Sequence, residues 1–514
     1  MKHLLKFIVA AALLPLAALH AADKPNVLFI AVDDLRPELG CYGKDYIKSP
    51  NIDRIAQAGM VFNHAYCQQA VCSPTRSSLM TGTRPDTTKV WDLVTHFRDA
   101  LPNVVTLGQH FKQNGYFVQG MGKIYHGGYD DPATWSVPWQ TPKAIKYALP
   151  ENQKLDGRQY EGEPDGDAKP AAKKKSKKSA TSTPDGPPST GVNSRGPAFE
   201  AADVPDNTFQ DGKVAELAIS TLQEMSKKKE PFFLAVGFIK PHLPFVAPKK
   251  YWDLYDPAKI ELAPNKFRAK DAPDYAVITS GELRNYHGIP AGSIPDDLAR
   301  QLKHGYYAGV SYTDAQVGKL LDELKRLGLD KNTIVILWGD HGWKLGEHDA
   351  WCKHSNVEND VNAPLLLSVP GMKNAGKHTD ALVEFVDIYP TLSELAGLPL
   401  PGHLEGTSFK PLLDDPKRAW KSAAFSQYPR SQNGGLMGYS MRTERYRFTV
   451  WVDRKDHSKV DAVELYDQQK DPQENQNIAK DPANAELVAK LMAQWKLGWQ
   501  GAKPPVASGL KASL

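Results

Sequence analysis

Cys72-Ser73-Pro74-Thr75-Arg76 is the stretch of this chain with the most chemistry packed into it. Ser73 is a residue type that caps a helix, Pro74 suits the first helical position, and residues 75–80 can continue the turn. Cys72 would then stand at a helix N-terminus, where free N–H groups and the helix dipole attract an anion. Arg76, one turn on, supplies a fork that matches a tetrahedral oxyanion. With 4 Cys and 39 Pro in 514 residues, Cys-x-Pro-x-Arg arises by chance in roughly 1 % of such chains. A buried structural cysteine would need neither the proline nor the arginine.

Asp33-Asp34 is the second candidate. Neighbouring side chains in a strand point to opposite faces, so two adjacent aspartates share a target only where the strand stops. Adjacent carboxylates repel each other and call for a cation, and a hard divalent ion, Ca²⁺ or Mg²⁺, suits several oxygens. An exposed Asp-Asp turn is the plain alternative. Asp340-His341, in the same position after another apolar run, favours the metal site.

The elements that must position these groups are legible as apolar, β-branched runs at 27–32, 117–120, 232–238, 333–338 and 365–369. Helix-like segments fall between them, at 51–58, 105–113, 212–227 and 314–327. Continuous apolar strands alternating with amphipathic helices predict an α/β fold, a mostly parallel sheet flanked by helices. Asp33-Asp34 follow the first run, Lys123 and His126 the second, Lys240 and His242 the third, and Asp340-His341 the fourth. In open parallel sheets ligands bind beyond the carboxyl ends of the strands. Four runs thus deliver charged groups to one edge.

Residues 1–22 have the order of a signal peptide: Lys2 and Lys6, an apolar run from residue 7 to 19, then Ala21 and Ala22. The run is short for a membrane span, no second long apolar segment follows, and export is expected. Without Lys2 and Lys6 the formal charge drops from +4 to +2, with no basic excess of the kind that binds nucleic acid. Residues 156–205, rich in Lys, Ser, Pro, Gly and Asp, read as a disordered surface insertion in a catalytic domain spanning 23–410. Residues 411–514 read as a smaller antiparallel subdomain, strand-like at 439–452, with a helical tail at 484–499. Cys41, Cys67, Cys72 and Cys352 are too few for a disulfide scaffold. No Asn-x-Ser/Thr site occurs, which favours a bacterial periplasm or exterior.

The pentapeptide, continued by Ser77-Ser78-Leu79-Met80-Thr81-Gly82, resembles the maturation signal of the type I sulfatase family, of alkaline-phosphatase-like fold. Within that family the likeness is to the iduronate-2-sulfatase branch. It is carried by Val32-Asp33-Asp34-Leu35-Arg36-Pro37, Gly122-Lys123-Ile124-Tyr125-His126, Lys240-Pro241-His242, Asp340-His341-Gly342-Trp343 and Lys353-His354-Ser355-Asn356. It runs along nearly the whole chain after residue 22, apart from the lysine-rich insertion. The resemblance implies that a separate maturation enzyme oxidises Cys72 to Cα-formylglycine. It implies Ca²⁺ bound by Asp33, Asp34, Asp340 and His341 with the modified Cys72, although many sulfatases have Asn where His341 stands.

It further implies that Arg76, Lys123 and Lys353 stabilise sulfuryl oxygens, that His242 protonates the leaving oxygen, and that His126 takes a proton from the nucleophilic hydrate. Trp343, after the metal motif, is a candidate platform for a sugar ring, and His96 and Trp91 are further candidate substrate contacts. The expected reaction is hydrolysis of a sulfate ester, the 2-O-sulfate of a uronic acid in a sulfated oligosaccharide or polysaccharide. Two rivals stand beside it: a phosphate mono- or diester hydrolase of the same fold, and a catalytically silent glycan-binding protein.

Overall fold

The computed structural model describes residues 24–156, 195–279, 281–432 and 435–505. The signal-like run at 1–22 and the lysine run at 169–178 lie outside them. Seven strands form the central sheet: β1 (Asn26–Val32), β2 (Met60–Phe62), β3 (Phe117–Gly122), β4 (Phe232–Phe238), β5 (Thr333–Gly339), β6 (Leu365–Ser368) and β7 (Lys377–Thr379). Their spatial order is β7-β2-β6-β5-β1-β4-β3. β1 pairs in parallel with β5 and β4, and β4 with β3, so the four strands followed by charged residues end on one edge. β6 runs antiparallel to both β5 and β2. A fully buried strand reads alike in either direction, so its sense is not written in its residues.

Both faces of the sheet are covered. Leu28, Ile30 and Val32 enter one core cluster, and Val27, Phe29 and Ala31 enter the other. The helices that matter for the site are α1 (Cys72–Thr81), α2 (Gln210–Met225), α3 (Gly281–Arg284) and α4 (Asp296–Arg326). α4 has 31 residues, where the sequence pattern supports only 314–327. Gly305 and Gly309 weaken the local helix signal, yet the packing requires them. A Cβ at Gly305 would lie 2.7 Å from Phe245 Cβ, and one at Gly309 3.2 Å from Pro241 Cα. The helix thus lies hard against the segment that carries His242.

Residues 195–202, expected within a disordered insertion, are strands instead, and 157–194 lie outside the described residues. Residues Arg195–Pro197 pair with Tyr286–His287, and Phe199–Ala202 pair with Phe245–Pro248. Each pairing is a separate two-stranded sheet, for which Pro197, Ala198 and Phe199 supply apolar surface, and Ala198 is buried. Beyond the main domain, β8 (Ala424–Arg430), β9 (Leu436–Arg442), β10 (Tyr446–Asp453) and β11 (Val460–Asp467) form an antiparallel sheet in chain order. The run expected at 439–452 is in fact two strands, turned at Thr443, whose N–H donates to Tyr446 O at 2.8 Å. Helix α5 (Ala485–Lys496) packs on this sheet through Leu491, Met492 and Trp495. All four cysteines are free. Among the described residues no helix is long and apolar enough to cross a membrane.

Candidate active site

The two aspartates after β1 reach one target because the chain turns between them. Asp34 adopts φ 57°, a left-handed conformation that ends the strand and brings its carboxylate round beside that of Asp33. Asp340, after β5, holds this turn: its Oδ1 accepts from Asp34 N at 3.0 Å and from His341 N at 3.1 Å. His341 Nδ1 lies 3.0 Å from Gly342 O and donates to it, so Nε2 presents its lone pair to the centre. That nitrogen is 3.4 Å from Cys72 Sγ, 3.5 Å from Asp34 Oδ1 and 3.6 Å from Asp340 Oδ1. Asp33, Asp34, Cys72 and His341 are all buried, and one donor atom of each falls within 4.8 Å of the others.

Cys72 is itself the first residue of α1, two positions earlier than a Ser73 cap predicts. Val71 takes the cap position and makes no side-chain bond. The first-turn N–H groups therefore open toward the site without a capping oxygen. The Cys72 thiol, 3.5 Å from Asp33 Oδ1, is pushed well up by burial and by that carboxylate. An unmodified Cys72 is thus a protonated, weakly nucleophilic thiol.

Arg76 does something other than wait for an oxyanion. Its Nε donates to Asp340 Oδ2 at 2.9 Å, its Nη2 to Asp33 Oδ1 at 3.0 Å, and its Nη1 to Ile124 O at 3.0 Å. Fully buried over the ring of Trp338, it ties β1, β5 and the segment after β3 together. Lys123 Nζ bonds Asp33 Oδ2 and lies 3.8 Å from Cys72 Sγ. Burial alone would raise Asp33, but Lys123, His242 and Arg76 outweigh it and hold this carboxylate well below its usual range. Asp34 is raised, because burial outweighs Lys353.

The remaining basic groups close the other side. Lys353 Nζ stands 3.0 Å from Asp34 Oδ1. His242 Nδ1 donates to Leu243 O, which turns Nε2 inward, 3.8 Å from Asp34 Oδ2 and 4.0 Å from Asp33 Oδ2. Burial would lower His242, but Asp34 prevails and raises it. His126 is buried with neither ring nitrogen bonded, and burial together with Lys123 lowers it to about 3. Lys240 turns away from the centre to the carbonyls of His242 and Pro244, at 2.9 and 2.7 Å.

Trp343 is not a sugar platform. Its ring is wholly buried and lies under Lys353 Nζ at 4.7 Å, where it props the lysine. Trp91 packs against the C-terminal subdomain, its indole N–H donating to Asp86 at 3.1 Å. His96 stacks on Phe97 and faces Tyr129 at 6.3 Å, and Tyr129 in turn faces His126 at 6.3 Å. A row of rings thus runs from His96 to His126. Two residues escape sequence reading. Glu282, on α3, accepts from Lys353 and His354. Asp211, in the first turn of α2, accepts from Ile239 N and Lys240 N at 2.8 and 2.7 Å and holds the His242 turn. Neither lies in a motif or directly after a sheet strand.

The donor set fits a hard divalent cation: two carboxylates of one turn, a third beside them, and an imidazole whose lone pair faces in. A separate cavity of about 720 Å³ is lined by Arg36, Glu38, Tyr46, Lys303, Tyr307 and Glu347 among others, and by none of the acidic-centre residues.

Known proteins resemble this chain along most of its length. The family model described as Sulfatase matches residues 25–398, and that of the N-sulphoglucosamine sulphohydrolase C-terminal region matches 346–497. Iduronate 2-sulfatase of Mus musculus is 36 % identical, covering 92 % of this chain and 94 % of its own. Among solved structures, BT1596, a 2-O GAG sulfatase, superposes with a TM-score of 0.68 at 23 % identity, covering 92 % of this chain and 91 % of that one. A phosphonate monoester hydrolase from Silicibacter pomeroyi reaches 0.70 at 21 %, covering 94 % and 97 %. At such identities these two likenesses concern the fold.

Proposed function

This chain belongs to the sulfatase family and is a sulfuric ester hydrolase, and we propose that it removes the 2-O-sulfate of a uronic acid in a sulfated glycan. What supports this substrate is the 36 % identity to an iduronate 2-sulfatase along 92 % of the chain. What supports the chemistry is a single juxtaposition: a protonated, buried Cys72 whose sulfur lies 3.4 Å from His341 and 3.5 Å from Asp33. A thiol so held is a poor nucleophile, and its conversion to Cα-formylglycine by a maturation enzyme gives it a task. Asp33, Asp34, Asp340 and His341 would hold Ca²⁺ beside the matured residue. The ion would neutralise the carboxylates and favour an ionised hydroxyl at neutral pH.

The chain's own groups do the rest. Lys123 and Lys353 face the sulfuryl oxygens, and Arg76 keeps Asp33 and Asp340 in register. His242, raised by Asp34, gives its proton to the leaving oxygen. His126, neutral and without a partner, accepts the proton of the nucleophile's second hydroxyl. His96 and Tyr129 line the approach to His126. Residues 1–22 direct export to a bacterial periplasm or exterior, 23–410 form the catalytic domain, and 411–514 form the C-terminal subdomain.

Sulfate release from defined saccharides tests the substrate, using enzyme made with a maturation enzyme and Cys72→Ala as blank. Release confined to 2-sulfated uronates is expected. Release only from 4- or 6-sulfated hexosamines would overturn the uronate assignment. A phosphonate monoester belongs in the panel because that chemistry shares the fold.

A further inference from the structure

The anion-facing side of the site is filled by a carboxylate of the chain itself. Glu282 Oε1 lies 2.9 Å from Lys353 Nζ and 3.3 Å from His242 Nε2, and Oε2 lies 3.1 Å from His354 Nε2. Two of these three donors are the groups assigned to the sulfuryl and leaving oxygens. The third is held rigidly. His354 sits at φ 85°, its Nδ1 accepts from Tyr428 O–H at 2.8 Å, and its carbonyl accepts from Arg430 Nη2 at 2.7 Å. Tyr428 and Arg430 both belong to β8, so the C-terminal subdomain fixes one wall of the seat.

Asp34, His242 and Glu282 also lie close enough together to suggest a second cation. The Lys353 ammonium already provides one, bonded to both Asp34 and Glu282 at 3.0 and 2.9 Å. The place opposite the cations is therefore a seat for an anion.

We propose that Glu282 is a built-in competitor for this seat, which substrate must displace and which returns to expel inorganic sulfate. The inference rests on the sulfate-ester reading of the same site. Leu283 and Arg284 anchor the four-residue α3 in the core, whereas the Glu282 side chain is partly exposed and can swing aside by a change of rotamer. Any anion that uses Lys353 and His242 meets the same competition. A glycan ester recovers the lost affinity through sugar contacts, whereas inorganic sulfate has none. Glu282 thus weakens both by the same factor, which leaves the ester held by its sugar contacts and lets inorganic sulfate go.

Titration calorimetry of the mature, Ca²⁺-loaded enzyme with inorganic sulfate tests this. Glu282→Gln keeps the side-chain volume and Glu282→Ala removes the carboxylate. Both are expected to bind sulfate at least about tenfold more tightly than wild type, as loss of a charged competitor implies, and to show a lower KM. Unchanged or weaker sulfate binding in variants that melt like wild type would overturn the proposal. Sulfate binding is read without turnover, so the two readings separate. Failure of the ester reading leaves every form inactive. Failure of this one leaves an active wild type beside variants of unaltered sulfate affinity.

Discussion

A buried imidazole with both nitrogens unbonded is costly unless it has a task, and His126 is such a group. His126→Gln is expected to lower kcat by roughly 10²–10⁴-fold, the usual loss for a proton-transfer group, with a much smaller change in KM. His126 stays neutral down to about pH 3, so its protonation does not limit the rate near neutrality. His242 has the opposite sign. It must be protonated to act as an acid, and its pKa lies above the ordinary 6.5. The alkaline limb of kcat should therefore lie above pH 6.5 and vanish in His242→Gln; a limb unmoved by that change would refute the assignment. Most of these side chains were legible in the sequence because each follows directly on an apolar strand. Trp343 misled because a tryptophan after a metal motif looks the same whether it faces a sugar or, as here, lies buried under Lys353.

Elements hold these side chains in place, and two contacts show how. Gly237 of β4 leaves no room for a side chain: a Cβ there would stand 2.1 Å from Lys123 O. Gly237→Ala is expected to destabilise by about 1–3 kcal/mol through overpacking and, by shifting Lys123, to cut activity more than stability. Asp211 of α2 fixes the His242 turn through two N–H bonds. Burial raises it to about 6 from 3.8. A raised carboxyl favours the fold fully below pH 3.8, and that contribution fades as pH climbs through about 6. The shift corresponds to at most about 3 kcal/mol. Asp211→Asn does not titrate, so thermal melts should show the wild type losing ground to it between pH 4 and pH 7. A constant gap would remove Asp211 from this role. Neither device is written in a motif: Asp211 looks like any acid in a helical first turn, and Glu282 like any surface glutamate. The sense of β6 and the first half of α4 were hidden for the packing reasons already given.

At the scale of the whole molecule, the C-terminal sheet is part of the active-site frame. Lys421 bonds Glu384 and Asp387, each at 2.7 Å, and Arg84 bonds Glu384 at 2.8 Å, all of them buried. Lys421→Met would leave two buried carboxylates with one cation and is expected to cost about 3–5 kcal/mol, read from denaturant unfolding. Arg430 and Tyr428 extend the same support to His354. Composition and strand patterning announced two units, but these cross-links join residues far apart in the chain, from 34 positions for Lys421 and Asp387 to 300 for Arg84 and Glu384, and carry no local signal. The central claim, that a residue matured from Cys72 turns over sulfate esters, is tested most directly by Cys72→Ser. A serine hydroxyl in this seat has no second hydroxyl with which to release an acquired sulfuryl group. Sulfate released per enzyme molecule should be measured with residue 72 shown by mass to be unmodified serine. No more than one equivalent is expected, and sustained turnover would contradict the account.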